Sequence, residues 1–161
     1  MILGALAHPV VNTGSQDRYY NHNSCKETSG VNAMPLVRIS FRAGKSTQYR
    51  QAVADEVHRA LVEVASVPEL DRFQVLSEHA PADLIYDPTY LGVKRTDDIV
   101  MIQITLNQRS QQVKLAIYKA IAARLAKNPG MRPEDVLISL VGVAPEDWSF
   151  GEGKAQYVKT D

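Results

Sequence analysis

Met34 and Pro35 stand together inside the chain, directly before the alternating run LVRISFR. As an interior residue, Pro35 is a tertiary amide with no basic nitrogen. As a first residue it would be a secondary amine, and a terminal amine ionises near pH ~7.7–8.0. Burial or neighbouring cations lower that value toward the working range of a general base. A proline can also simply open a strand, where its missing N–H does no harm. Arg109, in NQRS, is a second group with chemistry in reach. A guanidinium fork holds a carboxylate through two charge-assisted bonds, and a turn arginine can equally be solvated. Asp71, in ELDRFQ, reads as a turn residue as readily as an acid. Trp148 and Phe150, in DWSFG, are either plain core or the wall of a pocket that excludes water.

Other chemistries find little support. His58 and His79 are isolated, no set of ligands converges on a metal, and neither a phosphate loop nor a dinucleotide fingerprint is present. No metal and no cofactor are therefore expected. The single cysteine, Cys25, excludes an intrachain disulfide and a cysteine-based zinc site. It fits a reducing, cytoplasmic setting, and it lies outside the patterned region, so a catalytic thiol is not expected. Net charge is zero and like charges do not cluster, which argues against nucleic acid and anionic membranes as partners. No apolar run approaches the ~20 residues of a membrane helix. The opening MILGALAHPVV lacks the basic start and cleavage site of a secretory signal.

The elements that must position these residues begin at Pro35. Residues 1–33 are rich in Asn, Ser and Gly and show neither helical nor strand period. They read as a disordered extension, or as an upstream start that is not the biological one. Residues 34–161 read as a single domain. LVRISFR alternates like a half-buried strand. Ser46 or Thr47 can cap a helix whose stripe is Val53, Val57, Leu61 and Val64. RFQVLSEH is a second strand. A loop follows, with a short strand expected at LIYD. IVMIQITL, a helix capped by Ser110 with stripe Val113, Ile117, Ile121 and Leu125, and VLISLVGV then repeat the cycle. ISFR aligns with ITLN, and PELDRFQVL with RPEDVLISL, a repeat of about 65 residues with halves near 35–80 and 98–145. Each half is a βαβ unit with parallel strands. The expected fold is α+β: two tandem βαβ units, a four-stranded mixed sheet and two helices on one face. VLISLV and IVMIQI look apolar on both sides, so the open face is expected to meet a partner subunit.

MPLVRI, VPELDRFQVLSEH, ITLNQRS and DWSFGEGKAQYV, in this order and spacing, resemble the tautomerase superfamily. Within it the chain is most similar to the malonate semialdehyde decarboxylase group, from Pro35 to about Val158. The resemblance implies the paired βαβ fold, a homotrimer, and an amino-terminal proline, freed by methionine removal, as catalytic group. It implies that Pro35 is the acid or base and that Asp71 orients substrate or water and holds the proline's charge. Arg109 matches one of two arginines, and the other falls on Asn107. Trp148 and Phe150 match the apolar wall.

The implied activity is proton transfer on a small oxo acid, enol–keto tautomerisation, with Arg109 holding the carboxylate. Decarboxylation of a 3-oxo acid is the alternative within the family. One arginine fewer weakens the carboxylate clamp, although Asn107 can still donate a neutral hydrogen bond. A third reading is a non-catalytic oligomeric binding protein, should Pro35 stay blocked by the residues before it.

Overall fold

A computed structural model describes residues 34–158. The extension expected over residues 1–33, with Cys25, lies outside the described residues. Strands β1 (Leu36–Arg42) and β2 (Phe73–His79) flank helix α1 (Thr47–Ala65). Strands β3 (Val100–Asn107) and β4 (Val136–Val143) flank helix α2 (Gln111–Lys127). The sheet order is β2-β1-β3-β4. β1 and β2 are parallel, β3 and β4 are parallel, and the two halves join where β1 and β3 pair antiparallel.

Local chemistry accounts for the element ends. The Ser46 side chain accepts from the Tyr49 N–H and the Ser110 side chain from the Val113 N–H, each satisfying one orphan donor of a first turn. Gly130, at a φ of +92°, turns the chain after α2, where the Met131 N–H reaches back to the Leu125 carbonyl.

Strand alternation then sorts the side chains. Val37, Ile39 and Phe41 of β1 and Ile102, Ile104 and Leu106 of β3 point to the helices. There they pack on Val53, Val57 and Leu61 of α1 and on Ile117, Ile121 and Leu125 of α2. Among the described residues the other face carries no helix, and it is more mixed than its sequence suggested. Phe73, Val75, Leu137 and Val141 are exposed apolar residues, but Arg38 and Gln103 lie side by side across the centre.

Two buried carboxylates tie the parts together. Glu56 of α1 accepts from Arg59 at 2.5 Å, from Arg124 of α2 at 3.0 Å and from Asn128 at 3.3 Å. Arg124 also reaches Glu63 at 2.7 Å. Asp135, before β4, accepts from the Thr96 N–H at 2.6 Å and the Thr96 hydroxyl at 2.8 Å, which pins the approach to β3. The strand expected at LIYD is absent: residues 84–87 are irregular. Leu84 is buried and Ile85 exposed, but the Asp87 carboxylate takes the N–H and hydroxyl of Thr89, and this local bonding competes with a ladder.

Burial alone would raise the Glu56 carboxyl, but the bonds from Asn128, Arg124 and Arg59 outweigh it and leave it lowered. Glu56→Ala is expected to lower the unfolding free energy in urea by about 2–3 kcal/mol, because it removes the acceptor shared by Arg59, Arg124 and Asn128 and leaves Arg124 only its bonds to Glu63. A carboxyl lowered in the folded state stabilises fully above its unfolded value and loses that contribution as acid protonates it. The stability gap between wild type and Glu56→Gln is thus expected to shrink from neutral pH toward pH ~3; a constant gap would refute the assignment.

Candidate active site

The sheet's register gathers the suspected residues at one end. Leu36 pairs with Phe73 on one side and with Thr105 on the other. Pro35 therefore precedes β1 at the level where Asp71 and Arg72 lead into β2 and where β3 runs out toward Asn107 and Arg109. β4 is parallel to β3, with Val143 opposite Asn107, so the tail carrying Trp148 and Phe150 leaves the sheet at this end too. Four distant segments converge because two strand starts and two strand ends share one edge.

Met34 and Pro35 are buried, and in this chain Pro35 is an amide. Asp71 is half-buried, and its Oδ1 is buried with no hydrogen-bond partner. A turn positions it: its N–H donates to the Pro68 carbonyl at 3.0 Å, and the Arg72 N–H to the Leu70 carbonyl at 3.1 Å. Burial raises the Asp71 carboxyl above the ordinary carboxylate range, and the nearby His58 imidazole offsets part of that rise.

Tyr157 completes this cluster, and sequence reasoning assigned it no role. Burial raises its hydroxyl, the Asp71 charge raises it further, and the Met34 backbone N–H bonded to its oxygen lowers it. Its ring meets the edge of Phe150 at a centroid distance of 4.8 Å, and Phe150 stacks on Trp148 at 5.7 Å. The tail is shaped by Gln156, whose oxygen accepts from the Phe150 N–H at 2.9 Å and whose amide donates to the Gly151 carbonyl at 3.0 Å. That closure needs left-handed backbone at Gly151, Glu152 and Gly153. A helical or strand period could not have flagged Tyr157. The glycines around Glu152 were the available sign that the tail turns back.

Asn107 is buried and its side-chain oxygen accepts from the Trp148 indole N–H at 2.7 Å. This residue, expected to face substrate, thus also anchors the stacked Trp148 and Phe150 rings. Arg109 is half-buried and folds over its own turn, donating to the carbonyls of Asn107 and Gln108 at 3.2 Å. A polar cleft of about 460 Å3 lies elsewhere, against α1, with Asp55, His58, Glu63, Arg72 and Arg124 among its walls and none of Pro35, Arg109 or Trp148. Among the described residues no group of three or more His, Cys, Asp or Glu side chains is placed to hold a metal ion, and no helix is long and apolar enough to cross a membrane.

Family models described as tautomerase enzymes match residues 71–151 and 35–94. A probable tautomerase of Bacillus subtilis (strain 168), YusQ, is 42% identical over 127 residues, covering 78% of this chain and 100% of that protein. A second from the same strain, YrdN, is 34% identical over 125 residues, covering 78% of this chain and 97% of its own. The fold matches a malonate semialdehyde decarboxylase with a TM-score of 0.72 at 31% identity, over 76% of this chain and 95% of that one. Another malonate semialdehyde decarboxylase, inhibited by 3-bromopropiolate, matches with a TM-score of 0.70 at 42% identity, over 76% and 93%.

Trp148 is the single tryptophan, so its fluorescence reports this site alone. Asn107→Ala should shift the emission to the red and destabilise the fold by about 1–2 kcal/mol, as the indole N–H loses its partner. Unchanged emission would mean that Asn107 does not hold the ring.

Proposed function

The chain belongs to the tautomerase family, and on that premise we propose that it is an enzyme transferring a proton on small oxo acids through an amino-terminal Pro35. The observation that carries this reading is the convergence, at the Pro35 end of the sheet, of a half-buried carboxylate with one buried oxygen lacking a partner, a tyrosine hydroxyl, an arginine and a stack of aromatic rings.

The working form is the single domain of residues 34–161 after loss of Met34, so that it begins at Pro35. Two findings support it: a family match opens at residue 35, and a whole relative aligns over 127 residues. Freed of Met34, the proline nitrogen is a secondary amine on a rigid ring. Arg109 unfolds from its own turn to hold the substrate carboxylate by two charge-assisted bonds. Neutral Pro35 takes the proton of the enol hydroxyl. The carbonyl forms as the C=C electrons move to carbon, and the prolinium returns a proton there. Asp71 favours the prolinium, while Arg109 and burial favour the free amine. Asn107, tied to Trp148, gives the substrate at most a neutral bond, which suits a substrate with one carboxylate.

Similarity to the two decarboxylases supports a second reaction at the same residues. There a cationic Pro35 polarises the carbonyl of a 3-oxo acid. The bond to the carboxyl carbon breaks, its electrons enter a stabilised enol, and carbon dioxide departs. The sheet face bearing Phe73, Val75, Leu137 and Val141 supports assembly as a homotrimer. With one cysteine and no disulfide to form, the enzyme suits the cytoplasm.

Turnover of phenylpyruvate enol by a chain starting at Pro35, compared with one starting at Met1, tests the amine. The short form should be active, and Pro35→Ala should lose at least about a hundredfold. Equal activity of both lengths would sink the mechanism. Arg109→Ala should lower kcat/KM roughly tenfold to more than a hundredfold, the loss of one charge-assisted contact worth about 1.5–3 kcal/mol. Carbon dioxide release from malonate semialdehyde separates the second reaction from the first, and none above background would remove it.

A further inference from the structure

The aromatic rings of the tail follow β4, where the strand ladder has ended. Trp148 is tied to the body of the domain, its indole N–H donating to the Asn107 side-chain oxygen at 2.7 Å. Phe150 and Tyr157 stand further out. Phe150 stacks on Trp148 with the ring planes 17° apart, and Tyr157 meets Phe150 edge-on at 69°. Phe150 still keeps 37% of its surface exposed. Tyr157 reaches the Pro35 end through the Met34 N–H, which bonds to its hydroxyl oxygen. That bond goes when Met34 is removed, so the working form must hold the two outer rings by other means.

Gln156 supplies those means. Its side-chain amide carries the same donor and acceptor as a peptide group. Oε1 accepts from the Phe150 N–H at 2.9 Å, and Nε2 donates to the Gly151 carbonyl at 3.0 Å. These two partners are adjacent backbone groups of opposite kind, so a reversed amide would set donor against donor. The amide thus takes the place of the rung that a neighbouring strand would give. It closes a loop whose backbone is left-handed at Gly151, Glu152 and Gly153, and Tyr157 is the next residue. One side chain thereby sets the approach of Phe150 to Tyr157, whose ring centroids lie 4.8 Å apart.

We propose that Gln156 is a positioning residue: it clasps the tail so that Phe150 and Tyr157 form, before substrate arrives, a platform for the apolar substituent of an oxo acid whose carboxylate Arg109 holds. The inference rests on the reading of this end of the sheet as the Pro35 site. The exposed surface of Phe150 offers a ring on which a planar, apolar group can stack. A platform set in advance spares the cost of ordering side chains at each binding event. The clasp touches neither Pro35 nor the migrating proton, so it acts on affinity and leaves the chemical step alone. It favours oxo acids that carry an aryl or similar planar group over the smallest ones.

Phenyllactate carries the carboxylate and the phenyl group but no carbonyl, so it binds without reacting. Its dissociation constant for the chain starting at Pro35, read by quenching of the single tryptophan, tests the clasp without turnover. Gln156→Ala, which removes both bonds at an exposed position, should weaken binding about threefold to tenfold. The KM for phenylpyruvate enol should rise by the same factor, with kcat within about twofold of wild type. Lys154→Ala is the control, since Lys154 lies in the same loop and pairs only with Glu152 among the described residues, at 2.7 Å. It should leave both constants unchanged. Binding and KM unaltered in Gln156→Ala overturn the proposal, as does a fall in kcat at constant KM. An equal loss in Lys154→Ala, or no saturable quenching in the wild type, overturns it too. Because phenyllactate binding involves no proton transfer, a failure of the Pro35 mechanism, seen as Pro35→Ala retaining activity, remains distinguishable from a failure of this inference.

Discussion

The antiparallel pairing of β1 with β3 is the constraint on which the rest depends. Each βαβ half is internally parallel, so each would by itself send its strand starts to one edge and its strand ends to the other. Joining the halves through an antiparallel central pair places the starts of β1 and β2 beside the ends of β3 and β4. One half can then supply a strand-initial proline and the acid before β2. The other supplies the arginine turn after β3 and the aromatic tail after β4. A parallel central pair would leave these groups about a strand length apart, roughly 20 Å.

The rigidity of that arrangement comes from the side away from the chemistry. The helices fill one face with aliphatic side chains, and Glu56 locks α1 to α2 with bonds that more than offset the penalty of burial. The chemical end has a different character. Its backbone leaves regular structure at Pro35, Asp71, Arg109 and Trp148, and one buried oxygen, Asp71 Oδ1, has no hydrogen-bond partner. Loops on a stiff scaffold are where binding groups are commonly placed, which is the premise of the proposed site.

Much of the fold was legible because the signals were periodic. The stripes of both helices, the alternation of β1 and the two serine caps each carry a local physical cause, and each lies where those causes predict. LIYD had the right residue types, but side-chain bonding at Asp87 took the backbone elsewhere. The positions of Pro35, Asp71 and Arg109 were readable from motifs. What the motifs did not carry was contact between segments far apart in the chain. The Asn107 bond to Trp148 spans 41 positions, and Tyr157 meets Met34 across more than a hundred residues. Such pairs follow from register and tail geometry, which leave no period in the sequence.

The repeat gives the Asp135 clamp a further meaning. In the alignment of PELD with RPED, Asp135 is the counterpart of Asp71. The two carboxylates occupy matching places before β2 and β4, yet at opposite edges of the sheet. Asp135 is saturated, receiving both the N–H and the hydroxyl of Thr96, and its edge is closed by the chain itself. Asp71 retains an oxygen that the chain leaves unanswered. The molecule thus contains its own internal control. The same acid stands in both halves of the repeat, bound into a structural joint in one and with bonding capacity to spare in the other. The twins differ in what surrounds them rather than in the element that carries them.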